Sequence, residues 1–286
     1  MQSIIVKPVD FNRVIVDQGL GVPDFKYIIL AEGDSWMERS AVLQGSLPDF
    51  YGFLSDAKHE TTLIINLATF GDELRRIGTV QRDDFKYWLR QFEYDAVFFS
   101  AAGNDYIDAA KDPSPGKGIL KSFFNIAEPA KADECINWDA VDALRKKYLT
   151  PCFKAIYDMV QASPRNKDKP ILVNCYDVPV ARNAPAINKA WLYEAYVKNN
   201  LPPKLWPAVT EAIFGSIGDE LNSWVVARPS VSLVPTRGVL KPADPKSNGE
   251  SGDWINEIHP NRHGWEKLAP IWRESFRKAK GLSVEQ

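Results

Sequence analysis

Four short motifs in the chain contain groups that could act together in nucleophilic catalysis. Ser35 ends the tripeptide Gly-Asp-Ser, and Gly71 ends the segment NLATFG. Asn104 stands in the tripeptide Gly-Asn-Asp, and His259 lies in a segment that precedes the carboxyl-terminal helical pattern. A serine, a glycine N–H, a side-chain amide and an imidazole could supply a nucleophile, two oxyanion donors and a general base.

Each motif is weak support when it is taken alone. Gly-Asp-Ser is also typical of the first turn of a helix, in which Asp34 or Ser35 would be the cap. A glycine such as Gly71 in a strand-to-helix turn lets a backbone N–H approach a ligand closely, but many such turns bind nothing. The position of all four motifs in the fold therefore decides their meaning.

The elements that must position these motifs are short apolar runs separated by amphipathic segments. This alternation predicts an α/β fold in which helices cover both faces of a parallel sheet. Parallel strands end at one edge of the sheet, so motifs that follow strands meet there. The strand candidates are residues 27–31, 62–67, 96–100, 171–175 and 231–234.

Two helical patterns connect these runs. Phe85, Trp88, Leu89 and Phe92 recur at helical spacing and predict one crossover helix. A second apolar face extends from residue 141 to residue 159, and Pro151 should kink it or split it into two helices.

The chain is interpreted as one domain over residues 1–286, with insertions near 112–133 and 184–206. The first is rich in turn residues. The second contains Trp191, Tyr193, Tyr196 and Trp206, which could line a substrate pocket, although packing of the insertion onto the sheet explains them more simply. Trp36, next to Ser35, is a better candidate for contact with a substrate.

The order of the four motifs resembles that of the SGNH (GDSL-like) hydrolase family, over residues 27 to about 271. The resemblance implies a three-layer α/β/α, flavodoxin-like fold with a five-stranded parallel sheet, and ester hydrolysis without metal or cofactor. It makes Ser35 the nucleophile and His259 the general base. Gly71 and Asn104, with the Ser35 N–H, would hold the oxyanion.

Two positions depart from the family pattern. Ala102 stands where the third motif usually has glycine, and Asn256 stands where the last motif usually has the aspartate of the triad. The partner of His259 is therefore open between several groups. We favour Asp253, and the alternatives are Asn256, Glu257 or a backbone carbonyl.

Three functions fit these observations. The first is a serine hydrolase of carboxylic esters, with a small-molecule ester or acylated compound as substrate. The second is an acyltransferase with the same acyl-enzyme chemistry, and the third is a binding module that keeps the fold without catalysis, as the missing aspartate at residue 256 would allow.

Composition excludes several other classes. Lys and Arg number 35 and Asp and Glu number 37, which gives a net charge of −2 and no broad cationic surface for nucleic acid. No apolar run is long enough to span a membrane or to resemble a signal peptide, so a cytoplasmic protein is expected. Three scattered cysteines favour neither a disulfide framework nor a zinc site. The sequence does not indicate the oligomeric state.

Overall fold

The computed structural model describes residues 3–38, 45–55, 61–112, 114, 116–186 and 190–282. Six strands of these residues form one parallel sheet in the order β1-β3-β2-β4-β5-β6. The strands are β1 (Ile4–Val6), β2 (Tyr27–Gly33), β3 (Thr62–Asn66), β4 (Ala96–Ser100), β5 (Ile171–Asn174) and β6 (Val231–Val234). The expected five strands are all present, and the edge strand β1 makes the sheet one strand larger than the prediction.

Ten α-helices lie among the described residues. They are α1 (Leu47–Ser55), α2 (Leu74–Ile77), α3 (Arg82–Gln91), α4 (Gly103–Ala110), α5 (Ala132–Cys135), α6 (Trp138–Leu144), α7 (Thr150–Gln161), α8 (Leu192–Lys198), α9 (Trp206–Val226) and α10 (Arg262–Ala279). None of the described helices is long and apolar enough to cross a membrane.

The two faces of the sheet are covered because successive side chains of a strand point in opposite directions. Phe98 of β4 packs against Trp272 of α10, with ring centroids 5.0 Å apart, and against Tyr51 of α1 at 5.1 Å. Phe99, the next residue, packs against Phe153 of α7 at 5.9 Å on the opposite face. Two neighbouring phenylalanines thus connect the sheet to both helical layers.

The predicted helices occur where their apolar faces require them. α3 buries Phe85 and Leu89 against the sheet. Pro151 is the second residue of α7, and residues Arg145–Leu149 directly before α7 form a π-helical turn that links it to α6. The second apolar pattern is therefore divided into α6 and α7.

The two segments interpreted as insertions have different structures. The first, near 112–133, has only irregular backbone among its described residues up to α5, with an isolated bridge from Leu120 to Ile136. The second, near 184–206, contains α8 and a short 3-10 helix at Pro203–Leu205.

Candidate functional site

The turn after β2 presents Ser35 at the carboxyl edge of the sheet. Gly33 has a φ of 146°, and a Cβ at this residue would meet the backbone oxygen of Ser100 at 2.1 Å, so only glycine fits between β2 and β4. Asp34 donates its backbone N–H to the same oxygen at 2.9 Å. The nucleophile candidate is therefore fixed directly to the central strands.

Asp34 provides the cap of this turn. Its Oδ1 accepts hydrogen bonds from the Trp36 N–H at 3.0 Å and from the Ser100 hydroxyl at 2.8 Å, and its Oδ2 accepts one from the Tyr176 hydroxyl. Burial raises the pKa of Asp34 to about 6, although these three donors favour its charged form. Because Asp34 makes the capping contacts, the hydroxyl of Ser35 is left for another partner.

That partner is His259. The Ser35 Oγ lies 2.7 Å from His259 Nε2, although the two residues are 224 positions apart in the sequence. Both side chains are buried, with 4% of Ser35 and 1% of His259 exposed. Burial lowers the pKa of His259 to about 3, so its imidazole is neutral at ordinary pH.

Asn256, and not Asp253, contacts the other nitrogen of the ring. Asn256 Oδ1 lies 2.9 Å from His259 Nδ1, and it also accepts the backbone N–H groups of Ile258 at 3.1 Å and His259 at 3.0 Å. Two backbone donors require an oxygen at this position, which fixes the orientation of the amide. An oxygen only accepts, so Nδ1 carries the proton, and Nε2 accepts the Ser35 hydroxyl.

The prediction that Asp253 is the partner of His259 is therefore wrong. The Asp253 carboxylate accepts the Lys241 N–H at 2.6 Å and pairs with Lys267 of α10 at 2.5 Å. These contacts hold the loop before α10. The local fold turns this carboxylate toward α10 and away from the imidazole.

Glu257 is also occupied elsewhere. Its two carboxylate oxygens accept the backbone N–H groups of Arg182, Trp191, Leu192 and Tyr193 at 2.5–3.1 Å, which caps the first turn of α8. Burial raises its pKa to about 7. Glu257 thus ties the aromatic segment 184–206 to the loop that carries His259.

Two aromatic rings contact the imidazole of His259. The Trp191 ring meets the imidazole edge to face at 5.3 Å, and the Phe70 ring stacks on it at 5.8 Å. Tyr196 is instead fully buried and hydrogen-bonded to Thr210, so it packs the segment. Of the aromatic residues that the sequence offers in this segment, Trp191 is the one that reaches the imidazole.

The second and third motifs are joined to the first by hydrogen bonds. The Thr69 N–H donates to the Gly33 oxygen at 3.0 Å, and the Asp72 N–H donates to the Thr69 oxygen at 3.2 Å. Gly71, with a φ of 78°, occupies the left-handed position of this turn, which suits glycine. Asn104 Nδ2 donates to the Asp72 oxygen at 2.9 Å, which fixes α4 to the same turn.

Three donors at this edge have hydrogens to spare. Among the described residues, the backbone N–H groups of Ser35 and Gly71 have no hydrogen-bond acceptor. Asn104 Nδ2 carries two hydrogens and has one acceptor in the described part of the chain, the Asp72 oxygen. These groups are the ones that the sequence offers as oxyanion donors.

Two features of the third motif explain its departure from the family pattern. Ala102 has a φ of 86°, so it adopts the left-handed conformation that the usual glycine would adopt without strain. Gly103 follows it, and a Cβ there would meet the Tyr176 ring at 3.1 Å. The turn thus keeps its shape with alanine at residue 102.

Three residues of this region, Tyr176, Phe70 and Glu32, are not predicted from the sequence. Tyr176 comes shortly after β5, and Phe70 lies one residue before Gly71. Their positions after the ends of strands are the sequence feature that could have indicated them. Glu32, in β2, has its side chain 1% exposed and its pKa raised to about 8 by burial. An acidic residue inside an apolar strand was the signal for that group.

Comparison with known proteins supports the fold. No protein-family model matches the chain, and no curated protein matches its sequence. A lipase from a goat rumen metagenome has 12% identity and a TM-score of 0.53, with 87% of this chain and 96% of that chain covered. A possible lipase from Chitinophaga pinensis has 13% identity and a TM-score of 0.52, with 90% and 100% covered.

A GDSL-like lipase from Bacteroides thetaiotaomicron has 13% identity and a TM-score of 0.48, with 95% of this chain and 98% of that chain covered. The first two similarities, together with the parallel sheet between two helical layers, establish the fold class. The chain therefore shares with these two lipases the three-layer α/β/α fold, with a parallel sheet, that its sequence predicts.

Proposed function

We propose that this protein is a serine hydrolase of carboxylic esters. The observation that carries the proposal is the hydrogen-bonded series from Ser35 Oγ through His259 to Asn256 Oδ1, with distances of 2.7 Å and 2.9 Å. In this series the unprotonated Nε2 of a neutral imidazole accepts the hydroxyl of Ser35, which is the arrangement that a general base requires.

In the proposed reaction, Ser35 Oγ attacks the acyl carbon of the ester, and His259 Nε2 takes the hydroxyl proton. The tetrahedral oxyanion is held by the Ser35 and Gly71 N–H groups and by the second Nδ2 hydrogen of Asn104. The carbon–oxygen bond to the alcohol then breaks, and the imidazolium gives its proton to the leaving oxygen. Water, deprotonated by the same nitrogen, releases the acid from Ser35.

Asn256 takes the place of a triad carboxylate in this proposal. A neutral amide oxygen stabilises the transient imidazolium less than a carboxylate does. It nevertheless selects the productive tautomer, because the N–H groups of residues 258 and 259 hold the oxygen toward the ring. The missing aspartate therefore does not by itself make the chain a binding module.

A fluorophosphonate probe, which labels activated serines, tests the proposal together with hydrolysis of p-nitrophenyl acetate. The wild-type protein should be labelled and active, and Ser35→Ala should lose labelling and at least about a thousandfold of kcat/KM. Ser223→Ala, at an exposed serine of α9, is the matched control and should behave as wild type. A folded wild-type protein that neither reacts nor hydrolyses the ester would instead indicate the binding module.

A further inference from the structure

A very small cavity lies beside Ser35 and is lined by residues of α4, of α9 and of the turns at the carboxyl edge of the sheet. Its volume is about 20 Å³. Ser35 and Asn104 lie on its polar side, and Ile107, Phe214 and Ile258 provide apolar wall. The three apolar side chains are 4%, 5% and 7% exposed, so packing holds them in place.

The lining residues determine which half of an ester would enter this cavity. The cavity contacts the nucleophile and the amide of Asn104, but His259 is not part of its lining. The imidazole must reach the leaving oxygen in order to protonate it, so the alcohol lies on the His259 side of the acyl carbon. The acyl substituent therefore lies on the opposite side, in the cavity.

The alcohol side is much less enclosed. Phe70, which stacks on the imidazole, has 44% of its surface exposed, and Gly71 is exposed next to it. A bulky alcohol can therefore extend past Phe70 and Gly71 toward solvent.

The volume of the cavity limits the length of the acyl group. The centre of a water-sized group can move within only about 20 Å³ of this cavity, so a methyl-sized group fits and a long acyl chain does not. We infer that the substrates are acetyl esters of larger alcohols, with Ile107 and Phe214 as the residues that exclude longer acyl chains. This inference rests on the proposed function, because it assigns the acyl half of the same reaction.

The first test compares p-nitrophenyl acetate, butyrate and octanoate as substrates of the wild-type protein. One additional methylene in a confined pocket changes kcat/KM by roughly 10- to 200-fold. We expect kcat/KM to fall at least about tenfold from acetate to butyrate and further for octanoate. Octanoate hydrolysed as efficiently as acetate would overturn the inference.

The second test enlarges the cavity. Phe214→Ala and Ile107→Ala should each raise the butyrate-to-acetate ratio of kcat/KM at least about tenfold. Phe124→Ala is the matched control, because Phe124 is 53% exposed and does not line the cavity, and its ratio should equal that of wild type. Unchanged ratios in folded cavity variants would contradict the assignment of these residues.

Ile107→Val removes a single methyl group from the same wall and keeps the test available if the alanine variants do not fold. It should raise the ratio in the same direction by a smaller factor, and an unchanged ratio would count against the inference.

The two tests distinguish loss of the acetyl preference from loss of the proposed hydrolase function. A protein that the fluorophosphonate probe labels at Ser35, and that hydrolyses long-chain esters well, retains the proposed function and loses the acetyl preference. A protein that is neither labelled nor active on any of the three esters loses both.

Discussion

The amide oxygen of Asn256 binds both the ring and the backbone of His259, at 2.9 Å from Nδ1 and 3.0 Å from the backbone nitrogen. One neutral side chain thus sets the position of the peptide and the rotation of the imidazole. The nearest competing carboxylates, of Asp253 and Glu257, satisfy backbone donors and Lys267 instead. Asn256 therefore orients the imidazole of His259 without placing a charge beside it.

This arrangement predicts opposite behaviour for two variants. Asn256→Ala should lower kcat by at least about a hundredfold, because the imidazole loses the acceptor that fixes its tautomer. Asp253→Asn should leave kcat within about threefold of wild type and should lower the free energy of unfolding, since it weakens the pair with Lys267. Steady-state kinetics and urea denaturation of both variants measure the two effects. The reverse ranking in kcat would return the catalytic role to Asp253.

The sequence could offer Asp253, Asn256 and Glu257 but could not choose among them. Charge favoured Asp253, whereas spacing from His259 favoured Asn256, and the spacing proved to be the better guide to contact. The decisive information is long-range: Lys267 on α10 attracts Asp253, and the first turn of α8 takes Glu257. Such partners are determined by packing between segments that are distant in the sequence, and a local sequence pattern carries no information about that packing.

The pH dependence of catalysis should reflect the buried, neutral partner of His259. Burial lowers the histidine pKa from 6.5 to about 3, so the imidazole stays unprotonated far into the acid range. Asn256→Asp places a carboxylate on Nδ1, which favours imidazolium and raises this pKa. The acid limb of kcat/KM should therefore move upward by at least about one pH unit in the variant.

Comparison of the two profiles isolates His259. Asp34, whose pKa is raised to about 6, titrates beside Ser35 in both proteins, so its contribution is common to the two profiles. Coincident acid limbs for wild type and Asn256→Asp would show that the protonation of His259 does not control the reaction in this range.

Asn104 should act on the transition state more than on substrate binding. One Nδ2 hydrogen holds the turn at Asp72, and the other is available for an oxyanion that develops only during the reaction. Asn104→Ala should lower kcat by roughly a hundredfold or more, with KM within about threefold. Asn200→Ala is the control, because Asn200 also donates to a backbone oxygen, that of Phe123, outside the proposed site. A change in KM alone would make Asn104 a residue for ground-state binding.

The fold was more predictable than the site, and β1 shows where prediction stopped. The five expected strands are runs of at least four residues, whereas Ile4–Val6 has three, which is too short for a strand signal in sequence. Its pairing with β3 joins Ile4 to Leu63, which lie on either side of β2 and the first motif in the sequence. Only that distant partner turns this short apolar run into an edge strand.

Glu32 carries a buried carboxyl group next to the turn that holds Ser35. Its Oε1 accepts the Gly33 N–H at 2.8 Å, and burial raises its pKa from 4.5 to about 8. A raised pKa in the folded state stabilises the protein below pH 4.5, and this contribution is lost as pH rises from 4.5 through 8. At pH 7 the folded chain holds a proton that the unfolded chain has released, at a cost of roughly 3 kcal/mol.

Glu32→Gln keeps the acceptor oxygen and removes this cost. The free energy of unfolding should therefore rise by roughly 3 kcal/mol at pH 7, and the gain should nearly vanish at pH 4, where the glutamate of the unfolded chain is mostly protonated too. Urea denaturation at both pH values measures the difference. Glu128→Gln, at a side chain that is 71% exposed, is the matched control and should show no comparable pH-dependent gain. A gain of equal size at pH 4 and pH 7 would mean that packing of the amide, and not loss of the titrating carboxyl, stabilises the variant.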